Sequence, residues 1–127
     1  MRKNKVVEEW VRKAKDDLIV AKLSLKSKDK IYWATCFHAQ QSAEKYLKAF
    51  LISVGVAPPK THDTPELVAL CAGIDEEFST ISPDARFLSA FSVEVRYPLE
   101  MEPSAKEAEK SLKAASRIER FVLTKIR

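Results

Sequence analysis

Apolar residues recur at intervals of three and four along most of this chain, and short polar or Pro/Gly interruptions divide it into five helical segments. The first runs from about Val6 to Lys26, with Val7, Val11, Ala14, Leu18, Ala21 and Leu25 as its seam and Trp10 on the flank. Ser27-Lys28-Asp29-Lys30 breaks the pattern, and a second helix follows from about Ile31 to Val54. Gly55 is placed to cap its C-terminus, and Pro58-Pro59 stops continuation. A third helix opens at Asp63 or Thr64, where Asp63 and Glu66 have capping-box spacing and Pro65 suits the first turn. It carries Leu67, Val68 and Leu70 and ends near Gly73.

Ser82-Pro83-Asp84 signals a fourth helix, with Ser82 as N-cap, that presents Phe87, Leu88, Phe91 and Val95 and ends at Tyr97-Pro98. The fifth begins at Ser104, with Glu107 completing a second capping box, and its seam is Ala108, Leu112, Ala115, Ile118 and Val122. Residues 91–95 also alternate like a strand, but a lone strand has no partner to pair with. The expected fold is all-α: an antiparallel up-and-down bundle of about five helices around a four-helix-bundle core, a single domain over residues 1–127.

Two residues break the second helix's pattern. At about 100° per residue, Trp33, Cys36, Phe37, Ala43, Leu47, Phe50, Leu51 and Val54 share one face, yet Gln40 lies near its centre and Glu44 about 40° away. A carboxylate turned towards a core costs several kcal/mol unless it is paired. Arg96 is the expected partner, because it follows an apolar helix, keeps its charge, and can grip a carboxylate through two parallel hydrogen bonds. Gln40 would complete the cluster with a donor and an acceptor, and Tyr97-Pro98 would end the helix beside it. Such a cluster either fixes helix register or opens into a cleft where Arg96 meets phosphate.

Charge adds a second feature. The chain carries a net +4, but residues 1–30 hold ten Lys/Arg against five Asp/Glu and residues 103–127 seven against three, while residues 31–102 hold five against ten. The terminal helices side by side would form a basic surface able to attract RNA or an acidic partner, unless both faces are simply solvated. No aromatic ladder or Gly-rich phosphate loop accompanies it. Apolar content of 46% suits a folded core, and two glycines argue against a turn-rich β architecture. No apolar run reaches membrane-spanning length and the charged start is unlike a signal peptide, so a cytoplasmic protein that makes no membrane contact is expected. Cys36 and Cys71 fit no metal spacing and read as packing residues.

Only two histidines are available for acid–base work. His38 falls opposite Gln40, beside Ser42, Lys45 and Ala49, and is expected to face solvent or another subunit; His62, in the Pro-rich loop, is expected to fix that loop against a helix end. No metal-ligand set and no activated nucleophile is marked, so neither a metal nor a cofactor is expected.

Cys36-Phe37-His38-Ala39-Gln40-Gln41-Ser42-Ala43-Glu44-Lys45-Tyr46-Leu47-Lys48-Ala49 resembles the helix signature of the HEPN domain family. Pro59-Lys60-Thr61-His62-Asp63, Val95-Arg96-Tyr97-Pro98, and Asp17-Leu18 with Ala21 are also similar to the family pattern, in the same order along nearly the whole chain. The resemblance implies an all-α bundle, commonly a homodimer, often encoded beside a minimal nucleotidyltransferase and in some pairs an RNase toxin restrained by that partner. It also implies that Gln40, Glu44 and Arg96 occupy the family's polar positions, with Lys48 a basic position on the margin and Tyr97 adjacent. The RNase members pair an Arg with a His roughly four to six residues later, a charged stabiliser beside a general acid or base. Here Tyr97-Pro98-Leu99-Glu100-Met101-Glu102-Pro103 follows Arg96 without a histidine. The implied function is therefore a binding module for nucleotide or RNA that pairs with a nucleotidyltransferase-like protein in a toxin–antitoxin-like system. The alternatives are a metal-independent RNase using Arg96 with His38 or His62 brought in by the fold, and a purely structural dimer.

Overall fold

The computed structural model describes residues 2–92 and 102–126, with side chains from Asn4 onward. Five α-helices follow one another: α1 (Arg2–Lys26), α2 (Tyr32–Ser53), α3 (Thr64–Ile74), α4 (Ser82–Leu88) and α5 (Ala105–Lys125). Two 3₁₀ segments, Glu76–Ile81 and Ser89–Phe91, flank α4, and no strand occurs among the described residues. The all-α bundle expected from periodicity is the observed fold.

α2 is the central element. It packs against α1 along most of its length and also meets α3 and α5. Small residues at the α1–α2 seam, Ala14 and Ala21 facing Ala39 and Ala43, all wholly buried, let the helices approach closely. The Ser42 hydroxyl reaches across to donate to the Ala14 carbonyl at 2.8 Å, and the Ser24 and Thr35 hydroxyls bond at 2.7 Å. Being covered on several sides, α2 buries Thr35, Ser42, Tyr46, Lys48 and Ala49 in addition to the single stripe its periodicity suggests. On the α5 side Tyr46 is fully buried, and its hydroxyl donates to Glu119 at 2.6 Å.

The helix ends follow local chemistry. Gly55 adopts φ 83°, its N–H donates to the Ile52 carbonyl, and the Val56 N–H donates to Leu51, which together close α2 with a Schellman motif. Ser104 and Glu107 form a complete capping box on α5. On α3 only half of the expected box forms: Asp63 accepts from the Glu66 N–H, while the Glu66 carboxylate turns to the Thr61 hydroxyl at 3.0 Å.

Two expectations for α4 require correction. Ser82 is its first residue, because the preceding 3₁₀ segment already supplies the turn and Ile81 takes the N-cap place; the Ser82 hydroxyl accepts from Arg86 instead. The α-helix also stops at Leu88, where the Ser89 hydroxyl bonds back to the Arg86 carbonyl and the chain tightens into 3₁₀ geometry. Val95, Arg96 and Tyr97 lie outside the described residues. The 3₁₀ segment Glu76–Ile81, which no periodicity marked, sends Phe78 into the core, with ring centroids 4.4 Å from Phe50 and 4.9 Å from Phe121.

Candidate functional site

Glu44 is 4% exposed and Gln40 not at all. The central position of α2 explains how the two come to be enclosed, and their neighbours explain how the enclosure is tolerated. Lys48, one turn further along α2, places Nζ 2.9 Å from Glu44 Oε2 and is itself buried. Trp10 of α1 offers its ring to the same ammonium, 5.9 Å from Nζ to the centroid. The loop after α2 completes the cluster. His62 sets Nδ1 3.1 Å from both Glu44 oxygens, and its backbone carbonyl accepts from Gln40 Nε2 at 3.0 Å.

Gln40 is well satisfied in this position. Its amide nitrogen serves His62 and, at 3.4 Å, Glu44, while its oxygen accepts from Gln41 Nε2 at 2.8 Å. Among the described residues, then, Glu44 is paired by Lys48 and His62, and the expected Arg96 contact falls on a residue outside them. His62 does fix its loop, but against the side of α2 rather than against a helix end.

The imidazole is 70% exposed although the carboxylate it touches is 5% exposed. An ionised carboxylate can only accept, so Nδ1 carries the hydrogen and neutral His62 turns an unprotonated Nε2 outward. That is a histidine oriented by an acid behind it, with its reactive nitrogen presented to solvent.

His38 repeats the motif one layer deeper. Expected to face solvent or another subunit, it is partly buried against α1, with Nδ1 2.9 Å from Asp17 Oδ1, and Lys45 engages the other oxygen of Asp17. The face opposite the apolar stripe is not a free face, because α1 covers it. By the ~100° step of a helix, Gln40, Glu44, Lys48, Gln41, Lys45 and His38 fall in that order over roughly 160° of α2. They make one polar seam bounded by α1 and the α2–α3 loop. Asp17 and Gln41 were not marked as site residues in the sequence; the usable signal was their place at polar positions beside an otherwise packed seam.

Other parts of the molecule hold less chemistry. No group of three or more His, Cys, Asp or Glu among the described residues is placed to hold a metal ion. Cys71 is buried on α3, and loss of water pushes its thiol up to about 12, so it is inert at neutral pH. A groove of about 610 Å³ between the start of α1 and the ends of α2 and α5, floored by Val7, Val11, Leu123 and Ile126, includes none of the seam residues.

The central helix of this all-α bundle thus carries a satisfied Gln–Glu–Lys cluster closed by a histidine loop. The chain belongs to the HEPN domain family, whose model matches residues 7–126. Its structure is similar to the crystal structure of TT1696 from Thermus thermophilus, with 28% identity, a TM-score of 0.78, and 94% of this chain and 98% of that one covered. It is likewise similar to ST0689, described as an archaeal HEPN homologue, with 26% identity, a TM-score of 0.75, and 95% and 98% covered. Among curated proteins nothing matches. No helix among the described residues is long and apolar enough to cross a membrane.

Proposed function

We propose that this protein is a HEPN-type binding module, a cytoplasmic homodimer that pairs with a minimal nucleotidyltransferase-like protein in a two-component, toxin–antitoxin-like arrangement, and that its polar seam holds the phosphate of a nucleotide or of RNA. The observation behind the ligand is His62. Its inner nitrogen is tied to a buried carboxylate and its outer nitrogen faces solvent, so in neutral form it accepts a proton or hydrogen bond and in protonated form it donates to a phosphate oxygen. Lys48 is largely neutralised by Glu44, which leaves His62 as the outward group of the cluster.

Co-expression with a minimal nucleotidyltransferase and melting in the presence of ATP test the reading. A stable complex and a ligand-dependent rise in Tm are expected, the latter corresponding to about 2.7 kcal/mol at a hundredfold excess over Kd. Absence of both overturns it.

A second reading, a metal-independent RNase using Arg96, draws support from the same imidazole, since an outward Nε2 backed by a carboxylate is the arrangement a general base requires. It predicts RNA cleavage in EDTA that Arg96→Ala and His62→Ala each abolish while the helical signal at the assay temperature is kept. Intact RNA after prolonged incubation rejects it.

A further inference from the structure

α1 and α5 lie side by side in opposite directions, so the two basic ends of the sequence share one face. Where α1 begins and α5 ends, that face turns apolar. The groove of about 610 Å³ at this corner is floored by Val7 and Val11 of α1, Leu123 of α5 and Ile126, the α5 C-cap, and Ser53 at the end of α2 lines a third side. Glu8, Arg12 and Lys15 are the ionisable residues lining it, two cations against one carboxylate. Arg12 is already engaged, by Glu9 at 2.9 and 3.1 Å and by Asp16 at 3.6 Å. Lys15 has no carboxylate partner among the described residues. It stands about one helical turn beyond Val11 and two beyond Val7, roughly 6 and 12 Å along the axis. A single free cation therefore heads an aliphatic trough.

We propose that this groove binds a free medium-chain fatty-acid anion, with the carboxylate on Lys15 and the alkyl chain laid over Val11 and Val7 against Leu123 and Ile126. Three features select that occupant. The apolar lining is branched aliphatic with no aromatic ring, so it suits a flexible alkyl chain and offers no surface on which a base or planar ring can stack. The surplus of one positive charge matches one negative charge, and Glu8 opposes a polyanion. The volume lies within the ~300–1,000 Å³ of small-molecule sites, the size for one ligand and not for the roughly 20–30 residues that each side of a protein interface contributes.

None of the lining residues belongs to the polar seam, so occupancy of this groove is independent of the function proposed for the seam.

Isothermal titration with hexanoate, octanoate and decanoate, each below its micellar concentration, tests it. Affinity should rise by up to about fourfold per added methylene. Lys15→Glu should weaken decanoate about fivefold and leave decanol, which has the chain without the charge, unchanged. Leu123→Asp should weaken both ligands. Lys15 and Leu123 are exposed, so both variants should keep the fold, which melting checks. In methyl NMR spectra of the wild-type protein, decanoate should shift Val7, Val11, Leu123 and Ile126, a readout that needs no variant. Affinity independent of chain length overturns the assignment, as do wild-type affinity for decanoate in Lys15→Glu and equal binding of decyltrimethylammonium. Methyl shifts elsewhere in the bundle overturn it too. Co-sedimentation with phosphatidylglycerol vesicles in the absence of decanoate binding also rejects it, because a membrane surface and not the free anion would then be the partner.

Discussion

Glu44 shows how a buried carboxylate is accommodated unequally by its two main partners. Lys48 is enclosed with it, so replacing Glu44 by Gln leaves an ammonium facing an amide in a site with little water, and a loss of about 2 kcal/mol is expected. His62 contacts the same oxygens from the exposed side, and exposed ion pairs contribute little; His62→Ala should cost no more than about 1 kcal/mol. Urea denaturation of the two variants measures the difference. Similar losses would mean that the imidazole is a structural clamp and not a group held ready for a ligand. The oddity of Gln40 and Glu44 was legible in the helical period, since it needs only the angle between residues. Their contact with His62 was not. A loop histidine 18 residues away competes with an arginine in the sequence on equal terms until the path of the loop is known, and His38 was assigned the wrong environment because one period cannot tell a helix packed on one side from a helix packed on several.

Helix boundaries were legible wherever a side chain or a glycine decides them. Gly55 and the Ser104–Glu107 pair act through neighbours within a few residues, so spacing alone identifies them. The segment Glu76–Ile81 was missed because a 3₁₀ turn of six residues has too few repeats to show a period. Two positions keep a backbone cost that substitution can relieve. Lys30 adopts φ 58° in the α1–α2 connection, a region where a Cβ is unfavourable, and Lys30→Gly should stabilise by about 0.5–1 kcal/mol. Gly73 poses the reverse case: it lies within α3, and a Cβ there would meet nothing within 4 Å. Gly73→Ala should therefore stabilise by a similar amount, roughly 0.5–1 kcal/mol, through helix propensity and a more restricted unfolded chain. Thermal melts of both variants check this, and a fall in Tm for Gly73→Ala would mean that α3 needs a conformation alanine does not adopt.

At the scale of the whole molecule, α2 is locked to its neighbours by groups that must keep their protons. Cys71 of α3 donates weakly to the Leu47 carbonyl of α2, and burial moves its thiol from 9.0 up to about 12. Tyr46 ties α2 to α5, and its phenol is raised well above 10.0, chiefly by burial and further by the hydrogen bond to Glu119. In both cases the folded state retains a proton that the unfolded state gives up, so the stability is fully present below the unfolded pKa and falls as pH climbs towards the folded one. The decline should begin near pH 9 for the thiol and near pH 10 for the phenol. Each group adds a slope of up to about 1.4 kcal/mol per pH unit, and the two together about twice that above pH 10. Denaturation series from pH 8 to 11 should therefore steepen in two stages. Cys71→Ala should remove the first stage and Tyr46→Phe the second, each at a separate cost to stability at neutral pH from the lost packing or hydrogen bond. A wild-type profile that stays flat to pH 11 would mean that water reaches these groups in the native bundle, and that α2 is less tightly enclosed than the buried positions of Tyr46 and Cys71 require.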